Sequence, residues 1–351
     1  MKKWFTIAGL LIVVGGLMFT MSACANDWRM DAKHEEKIKT VTEDFNGIDI
    51  DTDTTDITFL PSEDGSCKVV ASNHKKINYS TNVENGILKI KLQDTRKWFN
   101  KIFNMHSGSL TVYLPKSEYA SLSINEDTGD ITIKGYTFSD VDIKLSTGDV
   151  NLKNIICGNF SLKMSTGDTS IDSITCENFT SMGDTGDITV NNLTANGNVS
   201  IERTTGHVNI NTANINGNLS TKTDTGSNNA KNVTCSGDFE HEVTTGKSEL
   251  TNVNTSNFDT YGDTGKLTMT NVIATEKLSI ERSTGDITFN KCDAAEIYVE
   301  TSTGNVTGTL LSEKIFITKT STGKINVPES VTGGKCKIST STGDIKISIE
   351  Q

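Results

Sequence analysis

Leu145-Ser146-Thr147-Gly148-Asp149-Val150-Asn151-Leu152, answered one period on by Met164-Ser165-Thr166-Gly167-Asp168, is the stretch that decides the fold. A tetrad of Ser, Thr or Asp, then Thr, then Gly, then most often Asp, Lys or Asn recurs along the chain. Its glycines are Gly129, Gly148, Gly167, Gly186, Gly206, Gly226, Gly246, Gly265, Gly285, Gly304, Gly323 and Gly343, evenly spaced throughout. A constant period of roughly 20 without helical patterning is the signature of a solenoid, in which each repeat is one coil stacked on the next.

The flanks of the tetrad say what a coil contains. Seven and five positions before the glycine the residues are mostly apolar, as in Leu122 and Ile124, Val199 and Ile201, or Leu278 and Ile280. Two and four positions after it the pattern returns, as in Ile131 and Ile133, Val150 and Leu152, or Ile287 and Phe289. Apolar residues spaced by two, with Thr, Asp, Lys and Glu between them, describe strands with one buried face. A further apolar position falls seven after the glycine, at Ile155, Ile174, Leu193, Val233, Val253 and Val272, and marks a third short strand or corner. The expected fold is all-β, a single-stranded parallel β-solenoid of about twelve 19–20-residue coils behind a divergent N-terminal cap. At ~4.8 Å per coil the array is roughly 58 Å long. Glycine suits a tight turn at positive φ, the preceding Ser or Asp can bond the turn's N–H groups, and the invariant Thr suits an extended, half-buried position.

The same frame extends backward: Ile48, Ile50, Ile57 and Phe59 keep the offsets around Asp53-Thr54-Thr55-Asp56, with Thr55 where the glycine belongs. Residues 40–118 are therefore expected to form divergent first coils and a cap with an insertion, and residues 119–351 the repeats. Within the insertion, 94–106, with Trp98, Phe99, Ile102 and Phe103, is an amphipathic segment suited to covering the open end of the core or touching a membrane or partner. At the other end Ile345-Lys346-Ile347-Ser348-Ile349-Glu350 finishes the chain as an uncapped last strand, its Lys346 and Glu350 placed to discourage edge pairing.

The 351 residues carry 22% charged, 34% hydrophobic and 6% aromatic side chains and only three prolines, so the chain can fold but must build its core from aliphatic residues. A net charge of −11 repels phosphate backbones and argues against nucleic acid as a partner. Lys2 and Lys3 precede an apolar run from Trp4 to Ala23, the pattern of an export signal. The run ends Met21-Ser22-Ala23-Cys24, which reads as a lipobox with Cys24 as lipid anchor; an uncleaved membrane-spanning anchor and ordinary cleavage are the other readings. Residues 1–24 are thus signal, lipoprotein or membrane anchor and 25–39 a linker. All three readings place the body outside the cytoplasm, the first two on the cell membrane.

The anchored N-terminus, the degenerate first coils and the units Ser146–Val150, Ser165–Asp168, Ser283–Ile287 and Ser341–Ile345 resemble the bacterial putative-adhesin β-repeat family of unknown function, over roughly residues 40–351. The chain also resembles the related envelope-stress accessory proteins of Gram-positive bacteria. The resemblance implies a β-solenoid at the cell surface and assigns no chemistry.

Candidate sites are few. Asp127, Asp130, Asp149, Asp168, Asp184 and Asp187 lie at the turns, and a ladder of stacked carboxylates is a candidate calcium site. His207, Ser227, Lys247 and Lys266 interrupt it, which favours a solvated turn face. Arg203 and Arg282 stand in near-identical contexts, Ile201-Glu202-Arg203 and Ile280-Glu281-Arg282, four coils apart. That is roughly 19 Å, too far to share the bond a polysaccharide lyase or hydrolase would cut. His241 occupies an apolar strand offset beside weak coils with Asn228, Ala230 and Ser248, which makes 226–250 the expected soft region and a pH sensor the alternative. Cys157 and Cys176 share one offset in adjacent coils and read as small buried thiols.

No catalytic or cofactor-binding residue emerges, and calcium is the one cofactor the carboxylates suggest. The expected function is a surface-anchored, adhesin-like scaffold or envelope-stress accessory protein without catalytic activity. Its expected partners are cell-wall or surface polymers or envelope proteins. A purely structural envelope protein and a carbohydrate-active enzyme on a β-helix are the alternatives.

Overall fold

The computed structural model describes residues 34–74, 77–94 and 108–350. The expected signal and anchor with Cys24, most of the linker, and nearly all of the amphipathic segment 94–106 lie outside the described residues. Every regular element among the described residues is a β-strand.

One coil shows how the sequence closes on itself. Val199–Thr205 runs to the turn at Gly206, and Val208–Ile215 leaves it. Within that second stretch Thr212 takes φ 68°, and Asn216-Gly217-Asn218 then makes the corner into the next coil. Val199 pairs with Leu219 and Val208 with Asn228, both parallel and one period apart. The cross-section thus has three sides, set by the turn glycine, a bend six positions on, and a corner ten to twelve positions on. The bend residue takes left-handed φ of 53–68° at Asn154, Ser173, Asn192, Thr212, Asn232, Asn252, Asn271 and Lys291. Asparagine tolerates that region better than other non-glycine residues, which explains its frequency there. The bend resets the inward parity, so positions seven and nine after the glycine point into the core, as the fully buried Ile174 and Cys176 show.

The turn demands glycine twice over. Gly206 has φ 138°, and a Cβ there would stand 2.2 Å from the Gly186 carbonyl oxygen of the coil below. That close approach lets Gly186 N–H of the coil below donate to the Thr205 carbonyl at 2.9 Å, and Gly206 N–H repeats the bond to Thr225 in the coil above. Inside, Phe160 stacks on Phe179 with centroids 4.8 Å apart, and Phe239 meets Phe258 edge-on at 5.3 Å. Each inward Ile, Val or Leu contributes roughly 1.5–3 kcal/mol of burial, which offsets the ordering of a coil that has no core of its own.

At the N-terminal end the stacking order departs from chain order. The strands are β1 (His34–Val41), β2 (Gly47–Pro61), β3 (Cys67–His74), β4 (Ile77–Glu84), β5 (Ile87–Asp94), β6 (Gly108–Leu114), β7 (Glu118–Thr128) and β8 (Ile131–Lys134). One edge of β2 pairs in parallel with β7 and β8, and Thr55 does stand where a turn glycine would, below Gly129. The other edge of β2 pairs in parallel with β5 and β6, so the insertion supplies a further level beneath the first coil. Antiparallel strands finish this end: β3 on β6, β1 on β3, and β4 on β5. The stretch expected as linker up to residue 39 is strand from His34 onward.

The C-terminal end corrects the expectation of an uncapped last strand. Gly334–Thr342 pairs on one side with Ile297–Thr303 and on the other with Lys314–Thr322. Ile345–Ile349 likewise pairs with Val306–Leu310 and takes Ile325–Asn326 on its far side. The end of the chain is therefore threaded one level inward, and the coil holding Gly323 is the outermost. A lone terminal strand would expose Ile345 and Ile347; threading buries both.

Candidate functional site

The turn edge is the first arrangement to test. Asp130 N–H donates to Asp56 Oδ1 at 3.0 Å, and Asp149, Asp168 and Asp187 repeat the bond upward, each at 2.8 Å. His207 N–H then donates to Asp187 Oδ1 at 2.7 Å, and Ser227 N–H to His207 Nδ1 at 2.9 Å. A second run, Asp286 to Asn305 to Asp344 to Lys324, follows the threaded order at 2.8 Å per bond. Each side chain thus uses one acceptor to satisfy the main-chain N–H of the next coil and turns its remainder to solvent. The structure brings Asp56, Asp130, Asp149, Asp168 and Asp187 into one column. It sets Asp127 and Asp184 on the other flank of the turn, three coils apart and so roughly 14 Å from each other. Among the described residues no group of three or more His, Cys, Asp or Glu side chains is arranged to hold a metal ion.

The second arrangement is internal and was not legible as a site. The position three before the turn glycine points into the core, and it carries Glu126, Arg203 and Arg282. Arg203 is 1% exposed; its Nη1 donates to the Glu202 carbonyl at 2.8 Å and its Nη2 to Thr169 and Ser181 hydroxyls at 3.2 Å. Arg282 Nη2 donates to Ser248 Oγ at 3.1 Å, while its Nε and Nη1 have no acceptor. Space for the two guanidinium groups comes from Gly183 and Gly262, at the same offset one coil earlier. A Cβ there would fall 3.0 Å from Arg203 Cζ and 2.7 Å from Arg282 Nη1. Burial lowers both guanidinium pKa values to about 10, and neither forms an ion pair among the described residues. Both arginines are core residues, so neither can serve as a lyase base in a groove. The sequence signal was available: a glycine at a core offset one coil before each Ile-Glu-Arg, and a Thr or Ser at a core offset two coils before.

Glu126 is 1% exposed beneath the first turns. Thr52 Oγ1 donates to its Oε2, and the Thr55 and Thr128 N–H groups donate to Oε1 at 2.9 and 3.3 Å. Burial nevertheless dominates and pushes its carboxyl up to about 8. His241 lies against both Phe239 and Phe258, with Nδ1 3.1 Å from Thr221 Oγ1 and Nε2 3.0 Å from Ser248 Oγ. Burial, with Arg282 nearby, lowers it to about 3 and keeps the ring neutral. The strands around it, expected to be soft, hold full register with their neighbours. The six cysteines of the described residues are buried and unpaired, and contact with Cys176 together with burial raises the Cys157 thiol above its ordinary value.

The outer faces repeat rather than converge. Three positions after the glycine stand Thr132, Asn151, Ser170, Thr189, Asn209 and Asn229, one per coil. Amides bond along the axis in neighbouring columns, as Asn211 to Asn191 at 3.0 Å and Asn252 to Asn232 at 2.8 Å. An open groove of about 400 Å³ follows the turn edge past Lys144, Lys163, Met182 and Asp184.

The Toastrack DUF4097 family model matches residues 45–245 and again 229–351, which together span the coils and most of the cap. The chain belongs to the Toastrack DUF4097 family. Among solved structures, this Toastrack chain is similar to a "putative adhesin" from Bacteroides fragilis, at 16% identity and TM-score 0.35, covering 90% of this chain and 97% of the other. It is also similar to a "putative lipid binding protein" from Parabacteroides distasonis, at 13% identity and TM-score 0.34, covering 88% and 98%. A "putative adhesin" from Parabacteroides merdae matches at 12% identity and TM-score 0.24, covering 80% and 96%. No curated protein matches the sequence.

Proposed function

We propose that this Toastrack protein is a non-catalytic scaffold of the cell envelope, held outside the cytoplasm by its N-terminal segment and contacting a repetitive surface or cell-wall polymer along its length. The observation that carries this reading is the outward repetition of polar groups at coil spacing, a column of Thr, Asn and Ser from Thr132 to Asn229 that resumes at Thr268 after Glu249. A ligand that repeats can match such a face at many points, each weak, whereas a single small substrate needs groups that converge. The two features that looked most like chemistry, the turn carboxylates and the paired arginines, are taken up by the coil ladder and the core. Lys2, Lys3, the apolar run and Cys24 support the extracytoplasmic, membrane-anchored placement. An accessory role in envelope stress fits the same architecture, with an envelope protein in the polymer's place.

The test is titration of residues 27–351 against purified cell-wall polymers, with and without calcium, beside a truncated array of fewer coils. Affinity that falls with coil number supports distributed binding. Affinity independent of coil number, or cleavage of the polymer, contradicts it. A gain with calcium alone would assign the metal to the turn carboxylates.

A further inference from the structure

The outermost coil exposes what the rest of the solenoid hides. Leu311, Ile315, Ile317, Ile325 and Val331, close together in the chain, are 44%, 42%, 50%, 45% and 92% exposed. The described chain exposes five other large apolar side chains, and those are scattered, at Ile38, Leu60, Ile156, Met182 and Tyr261. Single exposed apolar residues need no explanation, but a cluster does. Among the described residues the strand Lys314–Thr322 pairs only with Gly334–Thr342, so its other edge is there a row of open N–H and C=O groups. Outward positions on this strand are Ile315 and Ile317, where the same offsets elsewhere hold Asn159, Ser161, Asn198 and Ser200. Inward, Phe316 and Thr318 close the core only in part. The N-terminal edge strand β1 is different: Glu35, Glu36, Lys37 and Lys39 surround its one exposed aliphatic, Ile38, and charges of that kind discourage pairing.

We propose that this end is a self-association surface, where two copies meet tail to tail about a two-fold axis. The Lys314–Thr322 strands run antiparallel to each other across it. An edge related to itself by a two-fold axis pairs antiparallel, satisfies both open rows at once and closes the assembly as a dimer rather than a fibre. Charge permits the meeting. The chain carries −11 overall, yet between Leu311 and Gly333 Lys319 and Lys324 offset Glu313 and Glu329, and Lys314 is paired with Asp293 at 2.7 Å. The five aliphatic side chains and the open edge bring on the order of 500 Å² per copy, and two copies together reach the ~1,000 Å² at which specific interfaces begin. The join also brings the Ile315 and Ile317 side chains of both copies side by side on one outer face.

Sedimentation of the full chain in detergent tests this. Wild type is expected to dimerise in the micromolar range, and Ile315→Asp with Ile317→Asp to weaken the dimer more than about tenfold while the melting temperature holds, since both side chains face outward. Ile38→Asp, at the other end, should leave the dimer unchanged. A wild type that stays monomeric, or a dimer that survives the double substitution, overturns the proposal. Ile317→Cys in a Cys24→Ser background adds a readout independent of that variant's folding. A short bis-maleimide should link two copies through it, and failure to link also overturns the proposal. A tip that leaves the protein monomeric but holds it on anionic vesicles would assign the surface to lipid instead.

Discussion

The two ends of the solenoid face the same physical problem and solve it differently. At the N-terminal end the insertion between β2 and β7 adds a level under the first coil and finishes it with antiparallel strands whose edge is charged. At the C-terminal end the chain turns back one level, buries its last strand between two others, and leaves the Gly323 coil outermost with aliphatic side chains outward. The first end is built to stop pairing; the second is built to stop fraying. Threading explains how: a terminal strand held on both sides cannot peel away, while the strand left at the edge is anchored at both of its own ends.

Among substitutions at fixed pH, the largest effect should separate the middle of the array from that outer coil. Gly206→Ala drives a Cβ to 2.2 Å from the Gly186 carbonyl at a strained φ, with coils fixed on both sides. We expect a loss of about 3 kcal/mol or more in denaturant unfolding. Gly323→Ala meets the Gly343 carbonyl at 2.0 Å, but nothing stacks beyond it, so the coil can shift outward and the loss should be about 1 kcal/mol. Equal losses would mean the Gly323 coil is not at the end.

Two pH effects separate the N-terminal end from the middle of the array. An unfolded Glu gives up its proton near 4.5, whereas folded Glu126 keeps it to about 8. The folded state therefore holds the extra proton between those values. The resulting stability is complete below pH 4.5 and is lost as pH rises through 8, on the order of 5 kcal/mol. Glu126→Gln should flatten that slope in pH-dependent melting. His241 works in the opposite direction, since its lowered pKa makes stability fall as pH drops from 6.5 towards 3. His241→Asn should remove that second slope without touching the first.

The two buried arginines allow a finer comparison. Gly262→Ala sets a Cβ 2.4 Å from the Val243 carbonyl as well as against Arg282, whereas at Gly183 the nearest contacts are the flexible Arg203 guanidinium at 3.0 Å. Gly262→Ala should therefore destabilise by about 2 kcal/mol and Gly183→Ala by under about 1 kcal/mol. Arg203→Met, which removes a buried charge without a carboxylate partner, should be near neutral. A similarly small effect is expected from Asp168→Ala, which leaves the Asp187 N–H without its acceptor at an exposed turn, about 1 kcal/mol or less.

The fold was legible because everything that makes a coil is local. The alternation of two and the T-G turn are written inside every single repeat, and the even spacing of the glycines then stacks one repeat on the next. The asparagine bend was equally local and was missed: Asn154, Asn192, Asn232, Asn252 and Asn271 sit at one offset, and their left-handed φ follows from residue type. Stacking order at the ends was not legible, because the tetrads at Gly323 and Gly343 are interchangeable and no repeat says which coil it lies on. What differs is outward chemistry, Ile315 and Ile317 against polar residues elsewhere. The turn aspartates drew attention as ligands, since a sequence shows their alignment but not the main-chain N–H each one accepts.

Residue-resolved hydrogen exchange of the native protein tests the contrast between the ends most directly. Slow exchange is predicted for Ile345–Ile349, late in the chain as they are, together with slow exchange for the central turn glycines. Fast exchange is predicted for the open edge of Lys314–Thr322 in the monomer, as in the Ile315→Asp, Ile317→Asp variant, and slower exchange there once wild type dimerises. Fast exchange at Ile345–Ile349 with protection throughout Lys314–Thr322 in that monomeric variant would contradict the threaded end, and with it the difference between the two ends on which the self-association surface rests.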